Sequence, residues 1–131
     1  GVFYAAREVE TSIRETVYHR EQFLARTREP PQRIQMRCYV MSIKSSFHDI
    51  RGGHPALHDP ISYATSQRFA RELRTANSNG VVYDSVRKPG GQCVAAFWPD
   101  CVGPCTQGKH YEYHWDGTAI SRVIELKAVD F

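Results

Sequence analysis

GVFYAAREVETSIRETVYHR, residues 1–20, combines a short strand with the start of a long helix. Residues 2 to 6 are apolar enough for a strand, and apolar side chains then recur at helical spacing from Val9 to Arg26. We expect one helix face to pack on the core, because it collects Val9, Ile13, Val17 and Leu24, with Phe23 at its margin. The helix is expected to end at Pro30-Pro31.

The opposite face of this helix is polar and carries the first candidate site. It contains Thr11, Glu15, Tyr18, His19 and Gln22. Thr11, Tyr18 and His19 lie three or four residues from Glu15, which places its carboxylate among hydroxyls and an imidazole. Such a carboxylate can stabilise developing positive charge or orient a sugar hydroxyl. The alternative is that Glu15 is one of several acidic residues on a solvated helix face.

The rest of the chain predicts one more helix and five more strands. A strand from Ile34 to Ile43 alternates in polarity. A histidine-containing stretch rich in Gly and Pro, residues 45–60, predicts a surface loop. A helix from Ser62 to Ala76 follows, with Phe69, Ala70 and Leu73 as its core contacts and Asn79-Gly80 as its stop signal. The last strands are predicted at Val81–Val86, Gln92–Trp98, Tyr111–Trp115 and Thr118–Leu126.

The grouping of strands near the C-terminus decides the fold class. Asp116-Gly117 predicts a hairpin between the last two strands, in which both turn residues take positive φ. The order β-α-β-α-β-β-β-β favours an α+β fold, with two main helices and a mostly antiparallel sheet, over a doubly wound sheet. A length of 131 residues is ordinary for one domain. We therefore predict a single domain that spans residues 1–131.

A second candidate site lies in YDSVRKPGG, residues 83–91. A strand ends here on Ser85 and Arg87 and then breaks at Pro89-Gly90-Gly91. A hydroxyl and a guanidinium beside a glycine loop can bind phosphate oxygens. The alternative is a capped turn with a surface arginine. Four aromatic residues could also line a cleft for a flat ring or belong to the core: Tyr4, Tyr18, Tyr39 and Tyr63.

Composition limits the classes of function. The net charge is only +3 and the basic residues are scattered, which does not indicate nucleic acid as the main ligand. No apolar run approaches the ~18 residues of a membrane span and no signal peptide opens the chain, so we expect a cytoplasmic protein. A small zinc-dependent nucleic-acid module stays open as an alternative, with Cys101, Cys105, His110 and His114 as its ligands.

Taken together, the two candidate segments resemble the RES domain, a family of bacterial toxins. The first, residues 1–20, is similar to a strand-and-helix segment of the family in which a Tyr precedes a Glu by eleven residues, as Tyr4 precedes Glu15. The second, NGVVYDSVRKPGGQCVAAFWPD at residues 79–100, looks like the family's Ser motif, with Ser85 in the serine position. The resemblance covers nearly the whole chain.

The resemblance implies a fold similar to ADP-ribosyltransferase toxins and cleavage of the nicotinamide–ribose bond of NAD+. Carried over by position, Glu15 would steady the oxocarbenium-like transition state, Tyr4 would pack beside the nicotinamide or ribose, and Ser85 would hydrogen-bond the substrate. To these we add Arg87 as a pyrophosphate contact and His19 as an assistant to Glu15. NAD+ is then the substrate, its ADP-ribose passes to water, phosphate or a protein, and no metal is required.

The resemblance also implies a partner. RES toxins act beside an Xre-like helix-turn-helix antitoxin, which covers the NAD pocket and supplies the DNA contacts. We therefore expect no direct nucleic-acid or membrane binding by this chain, and a homo-oligomer within the complex. The family's Arg lies upstream of its Tyr, so we expect the domain here to lack its N-terminal segment. The alternative is a non-catalytic domain of the same fold that binds a nucleotide or a protein.

Overall fold

Two separate β-sheets organise the chain in the computed structural model, which describes residues 1–60 and 64–131. Unit 1 consists of Gly1–Glu15 with Ser42–Gly103, and unit 2 consists of Thr16–Met41 with Pro104–Phe131. Two helices accompany the two mostly antiparallel sheets, which confirms the α+β class. The single RES domain of residues 1–131 stays a prediction. Tyr63 and the predicted start of the second helix at Ser62 lie outside the described residues.

Unit 1 is built on a four-stranded sheet with the order β1-β5-β4-β3. Its strands are β1 (Phe3–Ala6), β3 (His48–Asp49), β4 (Gly80–Asp84) and β5 (Gln92–Ala96). The pairs β1–β5 and β4–β5 are antiparallel, whereas β3 is parallel to β4. Helix α2 (Ala64–Thr75) places Phe69, Ala70 and Leu73 against a buried cluster of Ile50, Val81, Ala95 and Phe97. The three predicted core contacts of α2 are confirmed.

The end of α2 differs from its prediction. Asn77 takes a left-handed conformation with φ 64°, and the N–H of Ser78 donates to the carbonyl of Leu73, which closes the last turn. Gly80, predicted as part of the stop signal, instead opens β4 with φ 144°. A Cβ there would collide with the carbonyl oxygen of Ala95, so the position requires glycine.

The predicted surface loop at residues 45–60 contains regular structure. It holds β3 and a short 3-10 helix at Pro55–His58. The histidines of this stretch are also engaged rather than simply solvated: His48 Nδ1 lies 2.9 Å from Ser78 Oγ, and His58 is bonded through both ring nitrogens. The stretch is largely exposed, as expected of a surface loop, but it also contains regular structure, because a two-residue strand leaves no periodic signal in the sequence.

Unit 2 is built on a three-stranded antiparallel sheet with the order β2-β6-β7. Its strands are β2 (Gln32–Val40), β6 (Thr106–Trp115) and β7 (Ile120–Leu126). One face of β6 buries Tyr111, Tyr113 and Trp115. The hydroxyls of Thr16 and Tyr113 lie 2.7 Å apart, and the indole N–H of Trp115 donates to the carbonyl of Glu29. These contacts hold the second half of the long helix on this face.

The hairpin between β6 and β7 forms where Asp116-Gly117 predicts it, but through a different turn. Gly117 has φ 99°, whereas Asp116 does not take positive φ. Asp116 Oδ1 instead accepts the N–H groups of Thr118 (2.8 Å) and Ala119 (2.9 Å). A carboxylate that bonds to backbone two and three residues ahead makes an Asx-type turn. The expected pair of positive φ values is therefore wrong.

Helix α1 (Val9–Arg26) has the predicted bounds, but only part of its predicted buried face is buried. Its C-terminus is closed by Arg28 at φ 52°, ahead of Pro30. In unit 1, Thr11 of the supposed polar face is only 1% exposed, while Val9 is 43% exposed. In unit 2, Leu24 is buried as expected but Phe23 is half exposed. None of the described helices is both long enough and apolar enough to cross a bilayer.

Candidate active site

A serine and a glutamate far apart in sequence meet in unit 1. Ser85 follows β4 directly, and Glu15 lies in the first half of α1. The Ser85 hydroxyl donates a 2.6 Å hydrogen bond to Glu15 Oε1. This distance is typical of a charge-assisted bond between a hydroxyl and a carboxylate. Two residues predicted to act on one substrate are therefore brought together.

The same hydroxyl organises the turn after β4. Ser85 Oγ accepts the backbone N–H groups of Arg87 (3.2 Å) and Lys88 (3.1 Å). The N–H of Ser85 donates to the carbonyl of Gly91, and the N–H of Gly91 donates to the carbonyl of Lys88, both at 2.9 Å. Ser85 is buried, so these bonds are shielded from competing water. The turn therefore fixes the oxygen that faces Glu15.

Gly91 lets this turn approach the first half of α1. A Cβ on Gly91 would lie 2.6 Å from Thr11 Oγ1 and 2.7 Å from Thr11 Cγ2, well inside van der Waals contact. Thr11 is 1% exposed and one helical turn before Glu15. The glycine therefore sets how close the serine turn comes to the helix that carries the carboxylate.

Two further polar side chains, Cys93 and Tyr83, surround the pair. Cys93 Sγ lies 4.0 Å from Glu15 Oε1, within the range of a weak thiol hydrogen bond. Burial, followed by the Glu15 carboxylate, raises the pKa of the Cys93 thiol to about 12. Burial, followed by Cys93 and then Glu15, raises the pKa of Tyr83 far above its usual range. Both groups are therefore neutral donors at physiological pH rather than nucleophiles.

Tyr4 lies on the same side of the sheet as these groups. Directly paired residues of neighbouring strands point to one face, and alternate residues within a strand share it. Tyr4 pairs with Ala95, and Cys93 lies two residues before Ala95 and pairs with Tyr83. Tyr4 is 66% exposed, so its ring is accessible on this face of the sheet.

The remaining predicted site residues, Arg87 and His19, have other contacts. The Arg87 guanidinium is half buried and donates through one terminal nitrogen to the carbonyl of Pro60, at 2.6 Å. This bond joins the turn after β4 to Pro60. His19 is exposed and belongs to unit 2, where its ring meets that of Tyr18 edge-on at 5.4 Å. Their roles toward pyrophosphate and toward Glu15 stay predictions.

A surface groove borders Ser85. It is lined by Gly52, Gly53, His54, Pro55, His58, Asp84, Ser85 and Val86. His58 Nε2 accepts the backbone N–H of Asp84 at 3.2 Å, and its Nδ1 lies 2.8 Å from the carbonyl of His54. This pair of contacts requires the neutral Nδ1–H tautomer. His58 therefore ties the 3-10 helix to the strand end that precedes Ser85.

The zinc alternative finds no support in the geometry. Within residues 1–60 and 64–131, no group of three or more His, Cys, Asp or Glu side chains is arranged to hold a metal ion. All four cysteines are free thiols. Cys101 is buried in unit 1, whereas Cys105, His110 and His114 belong to unit 2.

Comparison with known proteins identifies the family to which the chain belongs. The family model of the RES domain matches residues 1–116. The chain belongs to the RES domain family. This RES chain is also similar to an uncharacterised protein, y4oC, of Sinorhizobium fredii, with 30% identity over 117 residues. That alignment covers 88% of the chain and 48% of the relative, so the chain spans about half the length of the curated relative it matches.

Several residues of the RES site have no motif that would single them out. Thr11, Gly91 and Cys93 each matter through a neighbour 70 or more positions away in the chain. The glycine run after Ser85 is the one hint in the sequence, because consecutive glycines often mark a close approach of backbone to another group.

Proposed function

We propose that this RES domain cleaves the bond between nicotinamide and ribose in NAD+. The observation that supports this proposal is the 2.6 Å hydrogen bond that holds the Glu15 carboxylate to Ser85, in the unit whose sheet also carries the exposed Tyr4. NAD+ is the substrate and no metal takes part in the step. The ADP-ribosyltransferase-like fold is part of the same proposal.

In the proposed reaction, positive charge develops on the ribose, where a fixed carboxylate can stabilise it. The bond between ribose C1′ and the nicotinamide nitrogen breaks, and its electron pair stays on that nitrogen, which becomes neutral. The ribose then carries positive charge shared between C1′ and the ring oxygen. Glu15 would stabilise this charge, because a preorganised carboxylate needs no reorganisation as the charge develops. With water as acceptor, the products are nicotinamide, ADP-ribose and one proton.

The neighbouring side chains have supporting roles in this proposal. Ser85 keeps the carboxylate in one orientation, since its oxygen is fixed by two backbone N–H groups. Tyr4 offers an exposed aromatic ring that can stack beside the nicotinamide. The neutral Cys93 and Tyr83 groups add no competing charge near Glu15. Arg87 and His19 are proposed as secondary contacts to the pyrophosphate and to Glu15.

The cellular context of the whole protein belongs to the same proposal. As the toxin of a toxin–antitoxin pair, the protein would act in the cytoplasm and would be inhibited by an Xre-like antitoxin that covers the NAD site. The DNA contacts of such a complex would come from the antitoxin. A homo-oligomer within the complex is also proposed.

Release of nicotinamide from NAD+ by the purified protein tests the proposal. We expect the native protein to release nicotinamide. In Glu15→Gln, which keeps the shape of the side chain but not its charge, the rate of release should fall by about 10²-fold or more. Glu72→Gln is the matched control, because Glu72 is an exposed helical glutamate in α2. Equal rates for native protein and a folded Glu15→Gln variant would contradict the role of Glu15. Binding of NAD+ without turnover would instead favour a non-catalytic domain.

A further inference from the structure

The outer face of the sheet in unit 2 carries an ordered set of side chains that the NAD site does not use. Strand pairing arranges this face in three rows across β2, β6 and β7. They are Arg33–His114–Arg122, Gln35–Glu112–Ile124 and Arg37–His110–Leu126. The opposite face buries Tyr111, Tyr113 and Trp115.

Cations dominate this outer face. Three arginines, Arg33, Arg37 and Arg122, are exposed. The single carboxylate, Glu112, lies at the centre and is already engaged: His114 Nε2 is 2.7 Å from its Oε1, and Arg33 NH1 is 3.9 Å from the same atom. Positive charge therefore exceeds negative charge on the face even with both histidines neutral.

Two of the three residues that β7 contributes to this face are apolar. Ile124 and Leu126 are partly buried and end the second and third rows, where they form an aliphatic margin. The face thus has Arg33 and Arg37 on β2, Arg122 on β7 and the aliphatic margin beside Arg122, over a patch of about 10 by 14 Å. A nucleic-acid backbone would use the arginines but gain nothing from the aliphatic margin, whereas an acidic amphipathic protein segment would use both.

We propose that this outer face docks an acidic, amphipathic segment of a partner protein. Carboxylates of the segment pair with Arg33, Arg37 and Arg122, and its apolar side chains cover Ile124 and Leu126. The patch is wide enough for one helix or one extended strand. No residue of the face belongs to the candidate active site.

A labelled model peptide tests this docking surface on the whole protein. The probe is a helix-forming peptide of about 20 residues with a glutamate stripe beside a leucine stripe, followed by fluorescence anisotropy. We expect binding that weakens at least about tenfold in Arg37→Glu/Arg122→Glu and less in Arg37→Gln/Arg122→Gln, which removes charge without reversing it. The matched control is Arg68→Glu/Arg71→Glu, which makes the same charge change on the exposed side of α2.

A third variant, Ile124→Ser, separates the apolar contribution from the charge contribution. We expect weaker peptide binding with Ile124→Ser at unchanged net charge. Absence of binding by the native protein would overturn the proposal. Equal losses in the α2 control would also overturn it, because they would show a general charge effect. Tighter binding of a single-stranded oligonucleotide than of the peptide would assign the face to nucleic acid instead.

Discussion

Ser85 donates its hydroxyl proton to Glu15 Oε1 across 2.6 Å while its oxygen accepts the backbone N–H groups of Arg87 and Lys88. The hydroxyl is therefore fixed from three directions. Because the bond to Glu15 joins α1 to the turn after β4, its removal should disturb the orientation of the carboxylate more than the fold of the sheet.

Ser85→Ala is expected to slow nicotinamide release about 10- to 100-fold, since a hydrogen bond to a charged group contributes about 1.5–3 kcal/mol. Release from NAD+ is measured by chromatography at saturating substrate. Ser121→Ala, on an exposed position of β7, is the control and should match the native rate. A native rate in Ser85→Ala would show that Glu15 does not depend on this serine.

Gly91→Ala is expected to destabilise the protein by about 1–3 kcal/mol, because its Cβ would overlap both Thr11 Oγ1 and Thr11 Cγ2. Urea unfolding measures the loss. The double variant Gly91→Ala/Thr11→Ala should recover part of it, since Thr11→Ala removes both overlapping atoms. If the effects of the two substitutions simply added, the close contact between Gly91 and Thr11 would not be the cause.

Asp116→Ala is expected to reduce stability at neutral pH but not in acid. Hydrogen bonds from the N–H of Ala119 and then of Thr118 hold the pKa of Asp116 below its usual range. A carboxylate with a lowered folded-state pKa stabilises above its unfolded pKa, about 3.9, and loses that contribution as pH falls through the folded pKa. Thermal unfolding should therefore separate the two proteins at pH 7, and the difference should shrink as pH falls through the lowered folded-state pKa of Asp116.

Two further variants serve as controls for the Asp116 experiment. Asp116→Asn keeps an acceptor oxygen without a titrating charge, so it should retain part of the stability with little pH dependence of its own. Asp130→Ala, at an exposed position near the C-terminus, should not change the unfolding curve. An Asp116→Ala deficit that persisted unchanged at pH 2 would argue against the carboxylate as its source.

Cys93 is expected to resist alkylation by iodoacetamide at pH 8, whereas the exposed Cys105 reacts. The thiolate is the reactive form, and burial followed by the Glu15 carboxylate raises the pKa of Cys93 to about 12. The raised pKa favours the folded state below the ordinary thiol pKa of about 8.5. Stability from this group then declines as pH rises toward 12.

Mass spectrometry of proteolytic fragments assigns the label to individual cysteines. Cys105→Ser removes the fast-reacting position and should leave slow labelling overall. Glu15→Gln removes the carboxylate and should lower the pKa of Cys93, with faster labelling at pH 9 to 10. Rapid labelling of Cys93 at pH 8 in the native protein would show that the thiol is not held in a buried, protonated state.

Local sequence signals predicted most secondary structure of the fold. The bounds of α1 and the hairpin at Asp116-Gly117 come from periodicity and turn chemistry, which act over a few residues. The buried face of α1 could not be predicted in the same way. Thr11 is buried where Gly91, eighty positions away in the chain, comes close to it. The polarity of the Thr11 side chain therefore led to the wrong prediction that it lies on the exposed face.

Some residues of the candidate site could be predicted from the sequence, and others could not. Glu15 and Ser85 carry motif signals, and their meeting in unit 1 agrees with them. Cys93 falls within the strand predicted at Gln92–Trp98 and is buried in β5, yet its thiol also faces Glu15. The position of the Cys93 thiol next to Glu15 depends on the register of β5 against β1 and β4. That register is set by strand pairing across the sheet and not by the residues next to Cys93 in sequence.

The Ser85 hydroxyl already uses its hydrogen-bonding positions within the protein, and this affects which kinds of inhibitor can act on the site. The two acceptor positions of its oxygen are already filled by the N–H groups of Arg87 and Lys88, so no lone pair is left free to attack an electrophile. Fluorophosphonates and other reagents that acylate or phosphorylate activated serines should leave it untouched. A small molecule that carries a ring cation to the carboxylate is the more promising chemistry for an inhibitor.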